Sequence, residues 1–202
     1  MIKNLSQYIL RYLLNNDVIK DTNDEKEYYQ YGIEITISSI LNVILILVIG
    51  LITWNILESL IFLLLFIPIR QFTGGFHAST YLKCNLSFCI IFSVVLILYH
   101  YTGAILNTYL SILITFICVL LIIAECPFEN KNKPIPKERK KFHKIMAASL
   151  GMVYGIVGTV LTAFSNKYGA LILYTLAVVA MLIIAAMLQD RRCKYAEQKE
   201  KR

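Results

Sequence analysis

A histidine and a cysteine stand seven residues apart in a short polar stretch at residues 70–84, RQFTGGFHASTYLKC. The Cys84 thiol can act as a nucleophile if a base within hydrogen-bond reach, such as the His77 imidazole, removes its proton. On one continuous helix the two side chains would share a face but stand about 10 Å apart, too far for direct proton transfer. A Cys–His dyad therefore requires the chain to fold back between them.

The residues beside His77 give the chain places to fold back. Gly74 and Gly75 precede the histidine, and Ser79 and Thr80 follow it. Glycine tolerates backbone conformations that other residues avoid, and Ser and Thr favour turns. If a helix begins near the cysteine, its positive N-terminal end would also favour a thiolate. The same pattern fits a plainer interpretation, in which the histidine and cysteine are unrelated and the glycines only permit a tight turn.

Other polar groups in this stretch could bind substrate or stabilise an oxyanion. The candidates are the backbone amides around the cysteine and the side chains of Arg70, Gln71, Thr80, Lys83 and Asn85. Arg70 could instead anchor a helix end by extending its charge to the membrane surface. Zinc is disfavoured, because His77, Cys84 and Cys89 do not make a compact ligand set. We expect neither a metal nor another cofactor.

Composition places these residues in a membrane protein. The 202 residues are 57 % hydrophobic with a mean hydropathy of +0.63, whereas soluble domains are about 45–50 % apolar. The net charge of +7 does not indicate nucleic-acid binding, because no soluble domain is available to present a basic face. The five cysteines cannot all pair, which favours free thiols.

The elements that hold the polar stretch are predicted to be α-helices in one integral membrane domain. Helical spacing of apolar residues predicts an amphipathic surface helix at residues 4–19, although a frayed soluble tail is the alternative. The polar run at 21–27 is expected to be a turn, and Pro68 is expected to end the short second span. The domain divides into a cytoplasmic segment (1–32), a six-span bundle (33–188) and a basic tail (189–202), with spans near 33–53, 56–69, 86–101, 109–124, 145–164 and 168–188.

Basic residues predict the orientation of the bundle. With the N-terminus inside, 19 of the 20 Lys and Arg residues fall in inner segments, and Lys167 is the exception. This bias predicts that both termini and residues 70–84 are cytoplasmic. Cysteines on that side stay reduced, which keeps Cys84 available as a nucleophile. The second span is short, so residues 70–84 should lie at or just beneath the interface as a partly re-entrant loop.

Two short motifs in this six-span context resemble the accessory gene regulator B (AgrB) family. The first combines Arg70, the Gly74–Gly75 pair, His77 and Cys84. The second is PFENKNKP at residues 127–134, which is similar to that family's Pro-x-Glu-x-x-Asn-Lys-Pro pattern and carries Glu129, Asn132, Lys133 and Pro134. Cys126 and Phe128 stand where small aliphatic residues are expected in the pattern.

The resemblance implies a membrane cysteine endopeptidase that processes quorum-sensing propeptides in Gram-positive bacteria. Cys84 would be the nucleophile and His77 the general base, with Ser79 and the other polar residues of both motifs in supporting roles. The implied substrate is a propeptide with an amphipathic leader, a cysteine-containing signal sequence and an acidic tail. Tail removal would leave a thioester on the enzyme, and the peptide's own cysteine would then close a thiolactone. The resemblance also implies a homodimer.

Two rival functions remain open from the sequence. Six spans with a polar re-entrant stretch also suit a small peptide transporter or exporter. The absence of an ATP-binding motif, of an internal repeat and of charged residues inside the last two spans argues against that function. A non-catalytic membrane scaffold is the third alternative.

Overall fold

The computed structural model of the chain describes residues 2–16, 19, 22–74, 80–103, 105–127 and 137–200. For residues 23, 24, 137, 190 and 192–200 it describes the backbone alone. These residues form seven α-helices and no strand, which confirms the predicted all-α fold. The helices are α1 (Ile2–Asn15), α2 (Asn23–Ile52), α3 (Ile56–Thr73), α4 (Tyr81–Thr102), α5 (Thr108–Glu125), α6 (Lys137–Ala163) and α7 (Lys167–Glu200).

Helices α2 to α7 are each long and apolar enough to cross a bilayer. They alternate in direction, so each end of the bundle carries one set of connections. The end that carries Cys84, at the start of α4, is called the Cys84 end; the opposite end, with the α2–α3 turn, is the far end. The shortest spans, α3 and α5, have 18 residues each, a rise of about 27 Å that matches the hydrocarbon core.

Helix α7 occupies the centre of the bundle. It contacts α3, α4, α5 and α6. Of its most apolar stretch 56 % is buried, against 39 % or less in each of the other five spans. Leu171, Leu173, Val179 and Ile183 are fully buried there. The remaining spans present much of their apolar surface outward, as expected of helices that face lipid.

Small residues let α5 and α6 approach closely. A Cβ atom on Gly155 would lie 2.3 Å from Cγ2 of Thr115, so no larger residue fits without a shift. Thr115 Oγ1 also donates a 3.3 Å hydrogen bond to the Gly155 carbonyl and lies 3.1 Å from Oγ1 of Thr159. Close packing and hydrogen bonds between helices are the main attractions available inside a membrane.

The predicted start of α2 and the predicted end of α3 were wrong. The run at 21–27 is not a turn, since α2 begins at Asn23; acidic side chains such as Glu25 and Glu27 are favourable in the first turns of a helix. Pro68 does not end its span, since α3 continues to Thr73. Inside a membrane bundle, neighbouring helices can satisfy the carbonyl that a proline leaves without a partner.

Helix α1 packs along the start of α2. It ends at Asn15, four residues before the predicted boundary. Ser6 and Leu10 are buried against the bundle, whereas Leu5, Tyr8 and Tyr12 are exposed. An apolar face therefore remains available on α1, and its position relative to a membrane stays a prediction.

Candidate active site

Cys84 lies in the first turn of α4. That helix begins at Tyr81, one turn earlier than the predicted start near Cys84 or Asn85. The cause is Thr80, whose hydroxyl accepts a 3.3 Å hydrogen bond from the Lys83 amide while its carbonyl accepts a 3.0 Å bond from the Cys84 amide. The half-buried thiol therefore stays close to the positive end of the helix.

Arg70 closes the end of α3 beside this turn. Its Nη1 donates to the carbonyl of Gly74, the residue at which α3 ends with a φ of 67°. Positive φ is readily adopted by glycine and costly for other residues, which explains the glycine at this position. The guanidinium is half-buried and interacts electrostatically with Cys84 and Cys126. A cation near a thiol favours its ionised form, whereas burial disfavours it.

Asn85, the next residue after the cysteine, is buried and fixed by α2. Its Oδ1 accepts a 2.8 Å hydrogen bond from Oγ of Ser38, which is also buried. The amide oxygen is therefore engaged, and the Nδ2 group is the part of the side chain that can donate to a substrate. Among the predicted oxyanion donors, Asn85 has the most fixed position.

The other predicted supporting residues have simpler positions. Gln71 and Lys83 are exposed, and Thr80 serves as the cap of α4. The amides of Lys83 and Cys84 are already bonded to Thr80, which removes these two from the predicted oxyanion donors. Seven predicted site residues lie outside the described part of the chain, so the predicted dyad and loop motif stay predictions: Gly75, His77, Ser79, Glu129, Asn132, Lys133 and Pro134.

Cys126 is a neighbour of Arg70 that the sequence did not mark as part of the site. It follows α5 directly and is only 4 % exposed. Burial raises the pKa of the Cys126 thiol to about 12, against the opposing effect of Arg70. Cys126 is thus a neutral thiol at physiological pH. In the sequence, only the position of Cys126 directly before the 127–134 motif indicated that it could belong to the site.

An aromatic cluster joins α6 to the end of α3. The ring of Phe72 lies 5.5 Å from that of His143 and 6.0 Å from that of Phe142, both edge-on. His143 Nδ1 is buried and has no hydrogen-bond partner in the described structure. Sequence reasoning missed this contact because α3 and α6 are far apart along the chain.

A second polar cluster lies at the far end. Tyr99 donates a 3.3 Å hydrogen bond to Oε1 of Glu58, and Nζ of Lys167 is 3.8 Å from the same oxygen. Glu58 is buried although it lies in a membrane span. Tyr99, His100 and Lys167 line a cavity of about 470 Å³ beside this cluster. No group of three or more potential metal ligands occurs among the residues that the structure describes.

Comparison with known proteins identifies the family of this chain. The sequence model of the family described as accessory gene regulator B (AgrB) matches residues 6–187. An AgrB-like protein 2 from Clostridium perfringens strain 13 is 32 % identical over 149 residues, covering 70 % of this chain and 67 % of the relative. An AgrB-like protein from C. perfringens strain SM101 matches with the same identity and coverage. No solved structure matches significantly. The chain therefore belongs to the AgrB family, which takes part in the processing of accessory gene regulator quorum-sensing peptides.

Proposed function

We propose that this protein is a membrane cysteine endopeptidase that removes the C-terminal tail of a quorum-sensing propeptide, with Cys84 as nucleophile and His77 as general base. The proposal is carried by the setting of Cys84, a half-buried thiol in the first turn of a helix that interacts with the Arg70 guanidinium. A cation and a helix N-terminus both favour the thiolate that such chemistry needs, and they act against the effect of burial, which disfavours it.

Chain connectivity supports the pairing of His77 with Cys84. His77 is three residues from Thr80 in the sequence, so its Cα lies within about 11 Å of the Thr80 Cα. The Thr80 carbonyl in turn accepts the amide hydrogen bond of Cys84. A fold-back over this short distance would bring the imidazole within reach of the thiol.

Cleavage transfers one acyl group and one proton. His77 removes the thiol proton, and the Cys84 sulfur attacks the carbonyl carbon of the peptide bond after the signal sequence. The C–N bond then breaks, and His77 gives the proton to the leaving amine of the tail. We assign the stabilisation of the oxyanion to Asn85 Nδ2, because Ser38 already occupies the Oδ1 atom of the same side chain. The product is a thioester between Cys84 and the signal peptide.

The second acyl transfer closes the ring. The peptide's own cysteine loses its proton to His77 and attacks the thioester carbonyl. A new thioester forms within the peptide, the bond to Cys84 breaks, and the proton returns to the Cys84 sulfur. Exchange between two thioesters is nearly balanced in free energy, so hydrolysis would drain the intermediate unless water is excluded. A half-buried thiol at the membrane edge suits this requirement.

The charge distribution supports a cytoplasmic Cys84 end. In the sequence, 19 of the 20 Lys and Arg residues fall in the segments predicted to be cytoplasmic, and among the described residues the exception, Lys167, lies at the far end. The positive-inside rule then places both termini and the site in the cytoplasm, where thiols remain reduced.

The first turns of α6 suit an acidic peptide tail. Arg139, Lys141 and Lys144 are exposed there, close to the Phe72–Phe142 contact. Such a basic surface attracts an acidic segment and raises its rate of association.

The exposed apolar face of α1 offers a docking place for the amphipathic leader. The alternative for the basic residues of α6 is that they only set the orientation of the protein in the membrane. The homodimer rests on the family resemblance.

A peptide transporter is the second candidate, favoured by the cavity at the far end. It is a half-open pocket of about 470 Å³ and lies beside Glu58, a buried carboxylate in a membrane span. Ionisable residues at membrane depth often mark a transport path. Both functions could reside in one chain, because the two sites lie at opposite ends of the bundle.

The test is cleavage of a cognate propeptide by the purified protein in liposomes. We expect tail release that is lost in Cys84→Ala and His77→Ala but kept in Cys89→Ala, a matched control five residues further along α4. Equal tail release by Cys84→Ala would refute the proposed nucleophile. Peptide uptake that survives Cys84→Ala without any cleavage would support the transporter instead.

A further inference from the structure

A buried carboxylate joins three helices near Cys84. Glu34 lies in α2 and is only 7 % exposed. Its Oε1 accepts a 3.2 Å hydrogen bond from Ser6 Oγ of α1 and another of 3.2 Å from Gln30 Nε2. The phenol of Tyr81, the first residue of α4, interacts with the Glu34 carboxyl group. Residues from α1, α2 and α4 therefore meet at one side chain.

Burying a carboxyl group inside a membrane span costs free energy, so Glu34 needs hydrogen-bond donors around it. A carboxylate inside a membrane span must have its oxygens satisfied, since lipid offers no hydrogen bonds. An ionised carboxylate accepts hydrogen bonds and donates none. Gln30 donates to Glu34, the Ser6 hydroxyl is shared between Glu34 and the Lys3 carbonyl at 2.9 Å, and the Tyr81 phenol interacts with the carboxyl group.

A second link between α2 and α4 lies one turn further on. Ser38, four residues after Glu34, donates to Asn85, four residues after Tyr81. Residues four apart share a helix face, so both links lie along one α2–α4 contact. On α4 they stand before and after Cys84. The two links thus fix the depth and rotation of the turn that carries the thiol.

We infer that Glu34 is a positioning residue that holds the Cys84 turn in place and couples it to the docking of α1. The hydrogen bond from Ser6 to Glu34 connects the position of α1 to the contact between α2 and α4. An event that shifts α1, such as binding of an amphipathic peptide to its exposed face, therefore reaches Cys84 through Glu34 and Tyr81. The coupling to peptide binding rests on the proposed function, whereas the positioning of the thiol does not.

The test measures Cys84 itself, without a propeptide. The purified protein in lipid nanodiscs is treated with iodoacetamide, and peptide mapping gives the alkylation rate of Cys84 with Cys89 as internal reference. Loss of a hydrogen bond to a charged group corresponds to about a tenfold effect. We expect Glu34→Ala and the nearly isosteric Tyr81→Phe to change the Cys84 rate by that amount and to leave the Cys89 rate unchanged.

Controls separate positioning from general destabilisation. Glu27→Gln removes an exposed carboxylate from the same helix and should change nothing. Glu34→Gln keeps an acceptor oxygen and should restore most of the native rate. Ser6→Ala should alter the rate about threefold, and combining it with Glu34→Ala should add no further change, because both remove the same coupling. In the propeptide assay Glu34→Ala should lower kcat more than it raises KM.

Unchanged Cys84 alkylation in both Glu34→Ala and Tyr81→Phe would overturn the proposal. Equal changes at Cys84 and Cys89 would also overturn it, since they would indicate a loosened bundle. A selective change at Cys84 in a protein that cleaves no propeptide would support the positioning role and refute the proposed endopeptidase.

Discussion

Ser38 of α2 donates a 2.8 Å hydrogen bond to Asn85, the residue that follows Cys84. The two residues are 47 positions apart in the chain and both are buried. The proposed nucleophile is therefore held by a contact between the first and third spans.

Replacing Ser38 and Asn85 by alanine, one at a time, should distinguish a residue that positions the site from one that stabilises the oxyanion. Asn85→Ala removes the Nδ2 donor and should lower kcat of propeptide cleavage about 100-fold, whereas Ser38→Ala removes only its support and should cost about tenfold. Steady-state kinetics of tail release provide the measurement. Ser39→Ala, at the exposed neighbouring position, is the control. A larger effect of Ser38→Ala than of Asn85→Ala would contradict the assigned roles.

Propeptide cleavage should be sensitive even to a conservative replacement of Arg70. Its guanidinium donates to the Gly74 carbonyl and interacts with Cys84, a double role that a lysine ammonium does not reproduce. We expect Arg70→Ala to lower kcat/KM of cleavage at least about 100-fold and Arg70→Lys about tenfold. Arg191→Ala, an exposed arginine of α7, serves as the control and should behave as wild type. Full activity of Arg70→Lys would leave helix capping or simple charge as the only requirement.

Cys126 should make stability depend on alkaline pH. The folded state raises its pKa from 9.0 to about 12, chiefly through burial. Between these values the unfolded state holds fewer protons than the folded state, so stability falls as pH rises. Cys126→Ala removes this contribution. The difference in melting temperature between wild type and Cys126→Ala in nanodiscs should therefore shrink from pH 9 to pH 11. A constant difference would show that Cys126 does not titrate in this way.

Charge removal from the start of α6 tests its role in substrate binding. Replacing Lys137, Arg139, Lys140 and Lys141 by glutamine should raise KM for the propeptide several-fold at low salt, and the difference should vanish as salt screens the field. The matched control neutralises Arg191, Arg192, Lys194 and Lys199 in α7. Unchanged processing by the α6 variant at low salt, with topology intact, would leave orientation as the only role of these charges.

The α5–α6 contact gives a prediction about stability alone. Gly155→Ala places a Cβ 2.3 Å from Thr115 Cγ2 and should destabilise the bundle by about 2 kcal/mol. Gly32→Ala is the control, because a Cβ there meets nothing within 4 Å and alanine favours helix. Thermal unfolding in nanodiscs compares the two. An equal melting temperature for both variants would mean that α5 and α6 accommodate the added Cβ atom without a loss of stability.

Sequence reasoning succeeded where a single local property decides the structure. Long apolar runs predicted the six spans, since a bilayer accepts little else. The polar stretch indicated that Arg70 and Cys84 lie near each other, and the two side chains interact electrostatically in the structure, whereas their membership of one catalytic site stays a prediction. The start of α4 was predicted one turn too late, because Thr80 was interpreted as a turn residue and not as the cap of that helix.

The failures concern contacts between distant parts of the chain. Pro68 is a helix breaker by local rules, but packing within the bundle overrides this preference. Glu34 and Ser38 carry no motif, and only the approach of α2 to α4 reveals what they hold. Cys126 looked like a deviation from a family pattern until its burial beside Arg70 was known.

The central claim is a covalent acyl-enzyme on Cys84, and intact-mass spectrometry of the acid-quenched reaction tests it most directly. When the propeptide's own cysteine is replaced by serine, we expect the protein to gain the mass of the tail-free peptide less one water, and hydroxylamine to remove this gain. Cys84→Ala should never acquire the added mass, whereas Cys89→Ala should. Cleavage of the tail without any adduct on Cys84, or an adduct that survives in Cys84→Ala, would contradict it.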